Sequence, residues 1–318
     1  MTRLLLLVSQ RIALGLALLL AASVLIFAGT QLLPGDVAET ILGQGATPQA
    51  VENLRRDLGL NEPALARYVD WLSGVLVGDL GTALTNGQDI AQAMSVRLGN
   101  TLFLAFWAAV IAVPLAVLLG LLAVRFHDRW PDRLISAVTL SSVSIPEFLI
   151  GYVLMYLVAV KLGWFSSVAI VNEQMTLLER LSAIALPVAT LTLVVTAHMM
   201  RMTRAAILNV MQSAYVETAE LKGLSSFAVI ARHALPNAIA PIVNVVVVNL
   251  GYLVVGVVVI EVVFVYPGMG QYLVDHVSKR DVPVVQAGGL VFAALYIGLN
   301  MIADIVAILA NPRLRHPK

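Results

Sequence analysis

Cysteine is absent from the 318 residues, which excludes a disulfide framework and any thiolate metal site. Charge is scarce as well. Only 12% of residues are Asp, Glu, Lys or Arg, where a soluble domain carries about 25%. The formal net charge is +1, so no overall attraction to nucleic acid is implied. No G-x-x-x-x-G-K-[ST] loop is present to cradle a nucleotide phosphate, and there is neither an H-E-x-x-H zinc helix nor a G-x-S-x-G nucleophile turn. Internal repeats and low-complexity segments are missing too. What fills the chain is apolar: 59% of residues are hydrophobic and the mean hydropathy is +0.90. That composition implies a bilayer as solvent.

Six apolar runs are long enough to cross about 30 Å of hydrocarbon as helices. They are Ile12 to Leu32, Thr101 to Val124, Leu134 to Val160, Leu181 to Met200, Ala238 to Val265 and Val284 to Ala310. Pro114, Pro146 and Pro187 fall inside them, which neighbouring helices and Ser/Thr groups make tolerable. The first run follows Arg3 and Arg11, yet it is longer than a signal-peptide core and no A-x-A pattern closes it, so it reads as a span. Six spans place both termini on one side. The short segments 1–11, 125–133, 201–236 and 311–318 hold 12 of the 20 lysines and arginines, which makes that side cytoplasmic. The expected architecture is an all-α polytopic membrane protein. It is divided into a first cytoplasmic end and span (1–32), an extracytoplasmic helical segment (33–98), a five-helix core (99–310) and a cytoplasmic tail (311–318).

Segment 33–98 reads as a small helical cap. Thr47 is a candidate N-cap with Pro48 at the first helical position, and Asn61 is a second cap candidate. Leu65, Tyr68, Val69, Trp71, Leu72 and Leu76 then recur at helical spacing. Two readings stand side by side: a segment that packs on the membrane face, and a docking surface.

The stretch YVETAELKGLSSFAVIARHALPN, residues 215–237, is polar and capped, yet lies between two apolar runs. Tyr215 to Lys222 are good helix formers, Gly223 is a natural stop, and Ser225 or Ser226 caps a second helix, Phe227 to Leu235. Pro236 ends the hairpin or starts the next span. An interfacial helix needs a continuous apolar face with basic residues opposite. This helix mixes charge signs and its apolar residues are small or few, so it reads as an element that docks in a groove of a partner.

The spacing Glu217-Thr218-Ala219, three residues, Gly223, nine residues, then His233-Ala234-Leu235-Pro236 resembles the E-A-A-x3-G-x9-I-x-L-P motif of ABC importer membrane subunits. Thr218 stands for Ala and His233 for Ile. The segments LLPGD, GDLG, FVYPGMG and NPRLR are similar to the first-type permeases of the dipeptide/oligopeptide/nickel branch, and with their surroundings they cover nearly the whole chain. The resemblance implies a type I importer (MetI-like) permease fold. It implies two cytoplasmic ABC ATPases that bind ATP and Mg, a second related permease, and an extracytoplasmic substrate-binding protein. It implies no cofactor and no catalysis in this chain, and residence in a bacterial inner membrane. In that family the loop sits in a cleft of the ATPase. Glu217, Thr218, Ala219, Gly223, Leu235 and Pro236 are then the ATPase-docking residues of loop 213–236, with Glu217 making the charge-assisted contact.

Glu147, Glu261 and Asp304 lie within or beside apolar runs, where an acid costs roughly 3 kcal/mol on insertion scales. They are either translocation-path groups or buried packing groups. Packing is preferred for Glu261 and for Asp304, which shares a helix face with Asn300; Glu147 stays open. The histidines His127, His198, His233, His276 and His316 are scattered without metal-ligand spacing, so no metal site is expected. Met199, Met200 and Met202 read as adaptable packing. The rival readings are an ion-coupled secondary transporter, for which no two halves match, an intramembrane enzyme and a structural scaffold.

Overall fold

The computed structural model describes residues 2–32, 37–43, 45–57, 59–172 and 174–310. The tail 311–318 with His316, and residues 33–36 of the LLPGD segment, lie outside them. No strand occurs among the described residues beyond one isolated bridge, Thr82 to Asp89. The helices are α1 (Thr2–Gln31), α2 (Val37–Leu42), α3 (Pro48–Asp57), α4 (Ala64–Val77), α5 (Ile90–Arg125), α6 (Trp130–Ser144), α7 (Glu147–Leu154), α8 (Leu177–Ala183), α9 (Ala185–Met211), α10 (Ala214–Leu221), α11 (Ser226–Val229), α12 (Leu235–Val263), α13 (Met269–Ser278) and α14 (Val282–Ala310).

Five stretches are long and apolar enough to cross a membrane: Leu6–Gln31, Ile90–Arg125, Ala185–Met211, Ser226–Val263 and Val282–Val306. The third apolar run does not form one straight helix. Pro146 forces the preceding Ile145 into an extended conformation, and α6 and α7 meet at 103°. Beyond the bend, α7 continues as a π-helical stretch, Met155–Lys161. Counted as one broken span, this pair is the sixth.

The chain forms two compact units, residues 1–12, 102–266 and 298–318 in one and residues 13–101 and 267–297 in the other. In the first, α9 is the centre. It packs along α12 and against α6 and α7. Leu191, Val195, Met199 and Met200 of α9 meet a core that includes Val257 and Ile260 of α12. Met199 and Met200 are fully buried, as packing residues should be, whereas Met202 is exposed. Small residues let α5 approach α9 closely. A Cβ at Gly120 would lie 2.9 Å from Thr203 Cγ2 and 3.4 Å from the Arg204 nitrogen, and Thr203 is itself fully buried. Gly120→Ala should therefore lower stability by about 1–3 kcal/mol, the usual effect of overpacking. Gly29→Ala, where a Cβ meets nothing, is the control in the same thermal melt. A melt unchanged by Gly120→Ala would contradict this packing. At the edge of the unit, Thr176 and Glu179 form a capping box that starts α8. The bonds from the Thr176 N–H and hydroxyl hold the Glu179 carboxyl below its ordinary pKa.

In the second unit, Ile90, Met94, Met269, Tyr272, Val284 and Ala287 form the core. Asp281, 1% exposed, accepts hydrogen bonds from the Leu84 and Thr85 N–H groups and the Thr85 hydroxyl at 2.8–3.1 Å. That clamp fixes the turn before α5. Thr47 bonds the Ala50 N–H at 3.3 Å at the start of α3, as a cap should. Asn61 does not cap α4. Pro63 occupies the cap position, and the Asn61 amide donates instead to Glu52 at 3.2 Å.

Candidate functional site

The segment between α9 and α12 begins two residues after α9 ends. Met211 closes α9 and Ala214 opens α10, with the Ser213 N–H bonded to the Val210 carbonyl at 3.1 Å. So short a link holds the start of α10 against the end of α9. Val216 and Ala219 are buried and form a small cluster with Val229. Helical spacing then turns Glu217, Thr218 and Leu221 to the opposite, open face. Gly223 follows with φ of +78°, the left-handed conformation a helix stop requires. The Ser225 hydroxyl accepts from the Ala228 N–H at 3.4 Å.

One expectation needs correction. The second helix of the hairpin is not separate: α11, a π-helical turn at Ile230–Ala234 and α12 run on continuously. Pro236 therefore lies inside a continuous helix, where it removes one intrahelical N–H, and the π-helical turn Ile230–Ala234 directly before it accommodates the ring. The six motif residues do not form one surface. Glu217, Thr218, Gly223 and Pro236 are exposed, Leu235 is half-buried against a core that includes Ile230 and Ala238, and Ala219 is 4% exposed. Ala219 packs inward, in a cluster with Val216 and Val229. Sequence reasoning missed the apolar part of the open surface. Tyr215, Leu221, Leu224 and Phe227 are all exposed, a concentration of large apolar groups that marks an interaction face. Their three-residue recurrence from 221 to 227 was the available signal.

A second grouping lies where α5 turns into α6, and it reaches α9. Asp132 is 3% exposed and receives Arg204 through two bonds, Nε at 2.9 Å and Nη2 at 2.7 Å. The Asp128 N–H and the Ser136 hydroxyl also donate to it. His127 and Asp128 stand close enough to Asp132 to suggest a metal cluster. However, the Arg204 guanidinium already fills the cation position and lies 3.2 Å from His127 Nδ1. Neither the sequence count of basic residues nor any motif had joined Asp132 to Arg204. The pair ties the helix that carries α10 to the start of the bent span.

The intramembrane acids do not converge. Asp304 pairs with Arg11 at 2.9 Å. Glu261 is fully buried near the end of α12. Glu147 opens α7, half-buried, with its Oε2 facing Gly256 of α12; among the described residues it has no hydrogen-bond or ion-pair partner. In the other unit, Arg55, Arg67, Arg280, Glu62, Asp70 and Asp79 contribute to the lining of a polar cleft of about 970 Å³.

Membrane-length helices with a short, exposed, Gly-terminated helix between two spans do not by themselves fix a function, and comparison with known proteins supplies the class. The family described as "Binding-protein-dependent transport system inner membrane component" matches residues 112–316, and its N-terminal companion matches residues 1–105. The chain belongs to this family. A putative peptide transport system permease protein of Brucella abortus (strain 2308) is 36% identical over 98% of this chain and 99% of its own. The glutathione transport system permease protein GsiC of Escherichia coli O6:H1 is 36% identical over 94% and 95%, and a probable peptide ABC transporter permease of Sinorhizobium fredii is 34% identical over 96% and 98%. Among solved structures, a chain of the inward-facing MetNI methionine ABC transporter overlays with a TM-score of 0.48 and 18% identity, covering 68% of this chain and 95% of that one. The protein is therefore a multi-pass, non-catalytic permease subunit of an ABC importer, and it works with an ATPase and a binding protein.

Proposed function

We propose that this chain pairs with a second, related permease to form the path for peptides or related small solutes. Two cytoplasmic ABC ATPases drive the path, and an extracytoplasmic binding protein supplies it. ATP and Mg are bound by the ATPases, and this chain holds no cofactor. It resides in a bacterial inner membrane with both termini cytoplasmic, the orientation that the basic segments favour. The observation that carries the reading is the exposed Glu217–Thr218–Leu221 face on a helix joined to α9 by two residues. Nucleotide can shift a transporter between inward-open and outward-open states only through contacts that differ between them. Glu217, Thr218, Ala219, Gly223, Leu235 and Pro236 shape the loop that the ATPase grips, Ala219 from its buried side. When the ATPases close, α10 moves, and α9 and α12 move with it.

Peptide is favoured as the substrate class because two of the three relatives named above are peptide permeases and the third carries glutathione, itself a tripeptide. An ion-coupled carrier would use its membrane acids as a relay, whereas Asp304 is already paired with Arg11. The test is uptake of radiolabelled dialanine into proteoliposomes that hold all the subunits. Uptake is expected to require both luminal ATP and the external binding protein. Uptake by this chain without ATPases, driven by a proton gradient, would overturn the reading.

A further inference from the structure

α4 carries a broad apolar arc, of which only part is covered; Val77 at its last turn, 83% exposed, lies outside the arc on the polar side. Helical spacing places Trp71, Val75 and Tyr68 on one flank, continued without a break by Leu72, Leu65, Leu76 and Val69. Arg67, Asp70, Ser73 and Gly74 occupy the opposite side, and three of them, Arg67, Asp70 and Gly74, line the polar cleft. The first flank packs on α1. Tyr68 meets Phe27 edge-on at 5.3 Å, Trp71 lies 6.1 Å from the same ring, and the Tyr68 hydroxyl is 2.9 Å from the Ser23 hydroxyl. The second flank stands open: Leu65 is 74%, Val69 57% and Leu76 80% exposed.

The contacts on α1 set the depth of α4. Phe27 lies about 6 Å, and Ser23 about 12 Å, down the helix axis from Gln31, at 1.5 Å per residue. Both lie inside the membrane-length apolar stretch, which ends at Gln31. At that depth a tyrosine hydroxyl needs a partner from the protein, and Ser23 provides it. Arg67 points the other way. Its Nη2 donates to the Gln31 side-chain oxygen at 2.7 Å, at the level where the apolar stretch ends. This is the snorkelling posture of an arginine at a headgroup boundary. A helix lying in the interface buries its apolar face about 5–10 Å into the boundary, and α4 lies in that range. The open flank is wholly aliphatic. A protein-docking centre is enriched in aromatic residues and arginine, and on α4 those residues face α1 and the cleft.

We propose that α4 is an interfacial helix whose flank of Leu65, Val69, Leu72 and Leu76 is embedded in the acyl chains of the leaflet at the C-terminal end of α1. The orientation proposed above makes this the outer leaflet, and only that assignment rests on it. Lipid then covers the open flank while the polar side faces the cleft.

The chain contains no cysteine, so single-cysteine variants carry no background label. Leu65→Cys, Val69→Cys and Leu76→Cys replace exposed side chains, and Ser73→Cys reports the polar side. Each is spin-labelled in the assembled transporter in phosphatidylcholine/phosphatidylglycerol nanodiscs, with and without the binding protein. Accessibility to oxygen and to a water-soluble nickel chelate is then read by EPR. The three apolar sites should be open to oxygen and shielded from nickel, with Ser73 reversed. Nickel access at Leu65, Val69 and Leu76 equal to that at Ser73 would overturn the proposal. So would nickel access that disappears only when the binding protein is added, which would make the flank a protein surface. The measurement needs neither ATP nor uptake, so a failure of the importer reading leaves its answer intact.

Discussion

Glu217→Lys should abolish ATP-driven solute uptake and leave the amount of chain in the membrane at its wild-type level. Glu217 is exposed on the first turn of α10, and among the described residues its carboxylate makes no hydrogen bond or ion pair. Its replacement therefore breaks nothing inside the chain. A lysine there opposes the helix dipole by only about 0.3–1 kcal/mol, too little to unfold a packed bundle. What charge reversal should remove is the charge-assisted contact with the ATPase proposed above. Gly223 tests the same loop by a different route. A Cβ at Gly223 meets no neighbouring atom, so substitution acts only through the backbone, held at φ +78°. Asn tolerates that region and should retain uptake. Val, β-branched, resists it and should lose uptake. Uptake measured against membrane levels by immunoblot checks both series, and wild-type uptake by Glu217→Lys would contradict the coupling role.

Arg204→Ala should lower stability by about 1–3 kcal/mol, because it removes the charge-assisted bonds to a buried carboxylate that keeps only the Asp128 N–H, Ser136 and His127. Asp132 is 3% exposed and takes its two shortest hydrogen bonds from that guanidinium. Asp132→Asn combined with Arg204→Met removes both charges together and should recover most of the loss, since neutral replacement of a buried pair is often close to neutral. Melting of the purified chain in detergent checks the pair. Equal melting of Arg204→Ala and wild type would mean that the pair does not hold α6 to α9. Recovered melting without recovered uptake in the double variant would show that the link also transmits motion from α10.

The reach of sequence reasoning follows the range of the interactions. The straight spans were legible because hydropathy is a local property, and so were the Thr47 cap and the Gly223 stop, each set within three or four residues. Pro146 announced a break, but the 103° bend depends on what α7 packs against. The fusion of α11 with α12 was hidden because Pro236 reads as a boundary, whereas the π-helical turn Ile230–Ala234 lets the helix run on through it. Ion pairs were invisible for a different reason. Arg204 and Asp132 are 72 residues apart, Arg11 and Asp304 lie near opposite ends of the chain, and no periodicity relates them. The short helix and its Gly223 stop were legible in residues 215–223, but the division into outward Glu217 and inward Ala219 appears only once Val229 is seen packed against α10.

The central claim is that loop 213–236 couples this permease to an ATPase. It is tested most directly by affinity purification of the chain in mild detergent, co-expressed with its neighbouring genes. The co-purifying subunits are identified by mass spectrometry for wild type and for Glu217→Lys. A second permease and P-loop ATPases should accompany the wild type, and the ATPases should be lost from the variant. ATPases retained in full by Glu217→Lys, or a wild-type chain that purifies alone and still moves solute in vesicles without ATP, would contradict it.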